Sequence, residues 1–78
     1  MSNEAIRRQI MAVIARFGDP SLDDICKAVE AEEEMLHQEV MAMVREGLVR
    51  QKDDDIGHDW VYRATVKGRE SYPQENAA

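Results

Sequence analysis

Three observations predict an α+β fold of three helices followed by a two-stranded β-hairpin. Apolar residues recur at helical spacing over most of the first 46 positions. Glycine or proline then punctuates the chain at Gly18, Pro20 and Gly47. Beyond Gly47 the spacing shortens to the alternation of strands, broken once by a polar loop. With 78 residues the chain has room for one small domain. Neither an internal repeat nor a linker divides it.

The first helix is predicted over residues 3–17. Ile6, Ile10, Val13, Ile14 and Phe17 form one stripe, with Arg7, Arg8 and Arg16 off it. Gly18-Asp19-Pro20 stops that helix and turns the chain. Ser21 stands three residues before Asp24, a capping box in which the shorter acid replaces Glu. It opens a second helix whose inner face is Leu22, Ile25, Cys26 and Val29.

A third helix is predicted from about Glu33 to Glu46, with Leu36, Val40, Met43 and Val44 inward and Gly47 ending it in a left-handed conformation. Leu48–Lys52 reads as a strand, Asp53–Asp59 as a polar loop, and Trp60–Thr65 as a second strand. Trp60, Tyr62 and Ala64 share one of its faces, and Trp60 is expected to act as a lid on the core near the base of the hairpin. The domain is expected to span residues 1–70, with 71–78 as a frayed, disordered tail.

Three stretches carry a resemblance. Ser21-Leu22-Asp23-Asp24-Ile25-Cys26 resembles the start of the second helix in many bacterial regulators. There a small residue after Ile or Leu lets the third helix cross closely. Val40, Met43, Gly47, Leu48 and Val49 resemble the run that leads those proteins from recognition helix into wing. Tyr62 to Glu70, YRATVKGRE, resembles the ending of the multiple-antibiotic-resistance and phenolic-acid regulator families. The resemblance covers residues 3–70 and implies a winged helix-turn-helix, a fold that commonly reads duplex DNA with its third helix and wing. In size and order the chain is also similar to the ferrous-iron transport protein C family, but it lacks that family's cysteine cluster.

The chain departs from the regulator pattern at Glu30 and Glu32, where those families often carry Gly and Ser or Thr. Glu has neither the left-handed freedom of Gly nor the capping strength of Ser, which predicts a looser or longer turn. The larger departure is electrostatic. Residues 30–39 hold Glu30, Glu32, Glu33, Glu34 and Glu39, and residues 53–59 hold Asp53, Asp54, Asp55 and Asp59, with no Lys or Arg in either stretch. These segments carry −9 between them, so the remainder carries +3 against a net charge of −6. DNA affinity depends on neutralising phosphates, so acids at both usual contact points oppose the usual docking.

The function expected is therefore a non-catalytic regulatory module that works mainly by protein–protein contact through an acidic third helix and acidic wing. Its candidate contacts are Glu33, Glu34, His37, Gln38, Met41 and Arg45, with Asp53, Asp54 and Asp55 in the wing. Met35 and Met41 fall at the edge of the inner stripe or outside it, and exposed Met beside charge suits adaptable binding surfaces. The alternative is a regulator that contacts duplex DNA with the same helix and wing. Arg50 and Arg63 are expected on adjacent strands, and Arg7, Arg8, Arg16, Lys67 and Arg69 also lie outside the acidic segments.

No enzyme, metal site or cofactor is expected. Asp53-x-Asp55-x-Gly57-x-Asp59 resembles half a calcium loop, but Ala64 stands where the twelfth-position Glu belongs and His58 where the Gly belongs. Cys26, His37 and His58 have no partner at metal-ligand spacing. Cys26 is expected as a buried apolar residue, and the two histidines on the surface. A single cysteine and a start, Met1-Ser2-Asn3-Glu4, without the pattern of a signal peptide suggest the cytoplasm. No apolar run approaches the roughly 20 residues of a membrane span. No membrane or small-molecule partner is implied, and a monomer or weak homodimer is expected.

Overall fold

The structure is a computed structural model that describes residues 3–53 and 60–74. Its elements are α1 (Asn3–Phe17), α2 (Leu22–Ala28), α3 (Glu33–Arg45), β1 (Val49–Asp53), β2 (Trp60–Ala64) and α4 (Val66–Ser71). Three helices are followed by an antiparallel hairpin, as expected, and then by a fourth helix that periodicity does not reveal.

Local chemistry accounts for the helix ends. The Ser21 hydroxyl accepts from the Asp24 amide at 3.2 Å, and the Asp24 carboxylate accepts from the Ser21 amide at 3.1 Å, which starts α2. At the end of α3 the Gly47 amide donates to the Val44 carbonyl and the Leu48 amide to the Met43 carbonyl. With Gly47 at φ 81°, this is a Schellman motif. Glu32 caps α3 with no side-chain hydrogen bond. The longer turn is not found. Residues 29–32 join α2 to α3, within the roughly 3–4 residues usual for such turns, tightened by an Ala31 amide bond to the Val29 carbonyl.

In the hairpin Val49 pairs with Ala64, Arg50 with Arg63, Gln51 with Tyr62, Lys52 with Val61 and Asp53 with Trp60. Ser21 bridges Val61 on the free edge of β2, where the Tyr62 amide also donates to the Pro20 carbonyl. That edge is thus partly covered by the chain entering α2.

The core is built from Ile6, Ile10, Met11, Ile14, Ile25, Leu36, Val40, Met43, Val49 and Tyr62, with Val13, Val29 and Leu48 at its margin. Two aromatic residues depart from expectation. Phe17 is 59% exposed, because its neighbours past the last turn of α1 are Pro20, Lys27 and Ala28, too small or too polar to cover it. Trp60 is 54% exposed and is not a lid on the core. It lies two residues beyond Tyr62, about 7 Å along the strand, and Tyr62 takes the buried place instead. Cys26 is half-buried against the core rather than fully enclosed.

The fourth helix packs against β2 and against the chain leaving α3. The Thr65 hydroxyl caps it by accepting from the Gly68 amide and itself donates to the Gly47 carbonyl. The Lys67 ammonium donates to the Glu46 carbonyl. Within the stretch expected to fray, Ser71 ends α4 and Tyr72 packs against the core, its hydroxyl donating to Glu4. Among the described residues no helix is long and apolar enough to cross a membrane.

Candidate functional site

The third helix buries Leu36, Glu39, Val40 and Met43. Its opposite side carries the predicted contacts. Glu34, His37, Gln38, Met41 and Arg45 fall within an arc of about 100° on a helix of about 3.6 residues per turn, with Glu33 just off its edge. Glu33, Glu34, His37, Gln38 and Arg45 are exposed and Met41 is half-buried. Met35 is 42% exposed on the flank of the same face.

Of the five glutamates in residues 30–39, one is not part of that face. Glu39 is buried and accepts from the Arg7 Nε of α1, while the two terminal nitrogens of the same guanidinium reach Glu46 at 2.7 and 3.0 Å. Hydrogen bonds to Glu46 and then Glu39 hold the Arg7 proton more tightly than usual, and Arg7 in turn lowers the Glu46 carboxyl below the ordinary range. Glu30, Glu32, Glu33 and Glu34 are exposed and make no ion pair among the described residues. The outer face of α3 is therefore acidic at its N-terminal half, and its cation, Arg45, stands at the far end.

Beside this face lies a groove of about 380 Å3 between the two helices and the hairpin, lined by Asp23 and Leu22 of α2, His37 of α3, and Gln51, Trp60 and Tyr62 of the hairpin. Burial pushes the Tyr62 hydroxyl up, opposed by its bond with Gln51. Asp53, the one wing acid within the described residues, is exposed and pairs across the strands with Trp60. Asp54 and Asp55 lie outside the described residues, as do His58 and the rest of the loop compared with a calcium site.

The two faces of the hairpin differ. Strand alternation puts Gln51, Asp53, Trp60 and Tyr62 together toward α3, and Arg50, Lys52, Val61 and Arg63 on the other side. Arg63 forms a two-pronged bond with Asp19, both contacts at 2.8 Å, which lowers the Asp19 carboxyl below its ordinary range. Arg50 and Lys52 are exposed and make no ion pair within 4 Å among the described residues. A second cleft of about 490 Å3, between α1, β2 and α4, has an apolar floor at Met11, Ile14 and Ala64 and Arg69 at its rim.

Burial, with Glu33 and Asp23 nearby, pushes the Cys26 thiol up, which disfavours the thiolate a nucleophile or metal ligand needs. Among the described residues no three His, Cys, Asp or Glu side chains stand where they would hold a metal ion. Sequence reasoning placed the α3 face but missed the groove residues Asp23, Gln51 and Trp60 beside it. The available signal was strand register, since pairing Gln51 with Tyr62 puts Trp60 on the same side as His37's helix.

Compared with models of protein families, with curated proteins and with solved structures, the chain gave no match.

Proposed function

We propose that the chain is a winged helix-turn-helix domain that acts as a non-catalytic regulatory module, docking a basic protein surface against the outer face of α3 and the adjoining side of the hairpin. The order of helices and hairpin supports the fold reading. The observation that carries the function is the exposure of Glu33 and Glu34, without ion pairs among the described residues, on the helix that DNA-reading relatives of this architecture insert into the major groove. A phosphate backbone is repelled by that surface, whereas a lysine- and arginine-bearing one is attracted. Met35 and Met41 add adaptable apolar contact within the same field. The module works in the cytoplasm as a monomer or weak homodimer.

A second reading is favoured by one specific feature. The outer side of the hairpin presents Arg50 and Lys52, so duplex DNA would approach through the hairpin's back and not through α3.

Amide shifts of labelled protein at low salt, where electrostatic attraction is strongest, separate the readings. A lysine- and arginine-rich peptide should move the amides of Glu33, Glu34, His37, Gln38 and Met41, and a generic duplex should leave them still. Duplex-induced shifts on α3 would overturn the protein-docking reading. Shifts confined to Arg50, Lys52 and Arg63 would establish the second.

A further inference from the structure

We infer that the groove between α3 and the hairpin is a seat for one arginine side chain of the basic partner, its guanidinium stacked on Trp60. The inference rests on the docking reading above and adds the residue that anchors it. Two observations converge on it. The indole of Trp60 is more than half exposed at the groove, although neighbouring Tyr62 on the same strand face is buried. An indole is the strongest of the aromatic faces for a cation. The groove walls hold a carboxylate and an amide acceptor, at Asp23 and Gln51, and among the described residues no Lys or Arg lines them.

The surrounding charge has the same sign. Asp53 pairs with Trp60 across the strands, and Glu33 and Glu34 open the exposed face of α3. The cations of the hairpin, Arg50, Lys52 and Arg63, fall on its other side. Asp23 is bonded to Lys27 at 3.0 Å, but both side chains are about three-quarters exposed. Such a pair contributes little and yields readily to an incoming guanidinium. The volume of about 380 Å3 is near the lower end of the roughly 300–1,000 Å3 of small-ligand clefts, which suits one long side chain. A flat guanidinium stacks on a ring and still donates in its plane to carboxylate and amide oxygens, whereas an ammonium does only one of these well.

Trp60 is the only tryptophan in the chain, so its emission reports on the seat directly. The probe is a short peptide with one arginine among lysines, compared with counterparts carrying citrulline or lysine at that position. The arginine peptide should change Trp60 emission and bind about threefold to tenfold more tightly than the citrulline peptide. Trp60→Ala and Asp23→Asn, both at exposed positions, should erase most of that difference, and Trp60→Phe should retain part of it. Equal affinity for arginine and citrulline peptides overturns the seat. So does unchanged emission while α3 amides shift, an outcome that leaves the docking reading standing. Silence of both emission and α3 amides at low salt removes both.

Discussion

Arg7 on α1 donates to the carboxylate of Glu39, a buried residue on α3, and so ties the first and third helices together. The side chains are 18% and 11% exposed, so neither charge has full access to water. Arg7 keeps Glu46 as a second partner, but removing Arg7 leaves the Glu39 carboxylate buried without its own. Arg7→Met should destabilise the domain by about 3 kcal/mol, lowering Tm by on the order of 10–20 °C. Replacing both members, Arg7→Met with Glu39→Leu, should recover most of the loss. Thermal unfolding of the two variants checks this, and equal loss in both would show that the pairing contributes nothing beyond packing.

Gly68 is needed because α4 rests on the chain leaving α3. A Cβ added there would stand 2.1 Å from the Leu48 carbonyl oxygen and 3.1 Å from the Met11 Cε. In an open helix Gly→Ala stabilises by about 1 kcal/mol. Here the sign reverses, because the obstructing atom is backbone. Gly68→Ala should lower Tm by on the order of 10 °C and raise hydrogen exchange at the Arg69 and Tyr72 amides, which bond within this turn.

The Asp19–Arg63 pair predicts an acid-sensitive contribution. Arg63 lowers the folded carboxyl below its unfolded value, so the stabilisation is complete above the unfolded carboxylate range and lost as pH falls through the folded value. Glu46 behaves alike through Arg7. The Tm difference between wild type and Asp19→Asn should be full at about pH 6 and shrink as pH falls below the ordinary carboxylate range. A difference that does not change with pH across the acid range would assign it to packing.

Cys26 should react slowly. Burial together with Glu33 and Asp23 raises its thiol, so less thiolate is present near neutral pH than in an unstructured peptide. Ellman's reagent should modify it at least about tenfold more slowly than a small thiol under the same conditions. Unfolding in urea should remove the difference, and equal rates in the folded protein would contradict the burial.

If the charge of α3 is what deters DNA, reversing it should admit DNA. Glu33→Lys with Glu34→Lys places cations in a first helical turn, at a cost of about 0.3–1 kcal/mol each, and removes the repulsion. Anisotropy of a labelled generic duplex at low salt should show binding by this variant that falls steeply as salt rises. No gain in binding would mean that shape, not charge, bars the groove.

The elements with strong local signals were legible in advance. The Ser21–Asp24 box, the Gly47 stop and the inner stripe of Leu36, Val40 and Met43 depend on neighbours in sequence. What escaped depends on residues distant in the chain. The six residues of α4 show no apolar period, and its cap, Thr65, looked like the end of a strand. Met11, which lies off the stripe of α1, is also buried, and its Cε comes close to Gly68 of α4. Helical spacing separates the buried stripe of α3 from its exposed side, yet charge alone groups Glu39 with the exposed acids, because its partner is 32 positions away. Alternation points Trp60 inward with Tyr62, but it fixes only the side of a strand and not how far the core extends along it.

The opposite character of the hairpin's two sides has a kinetic meaning. On the docking reading, Asp53 and the glutamates of α3 toward one side and Arg50 and Lys52 toward the other would rotate an approaching polycation before it touches. Orientation of this kind acts on the encounter rate and is screened by ions. Capture should therefore slow as ionic strength rises, while residence time, governed by close contacts once formed, changes far less.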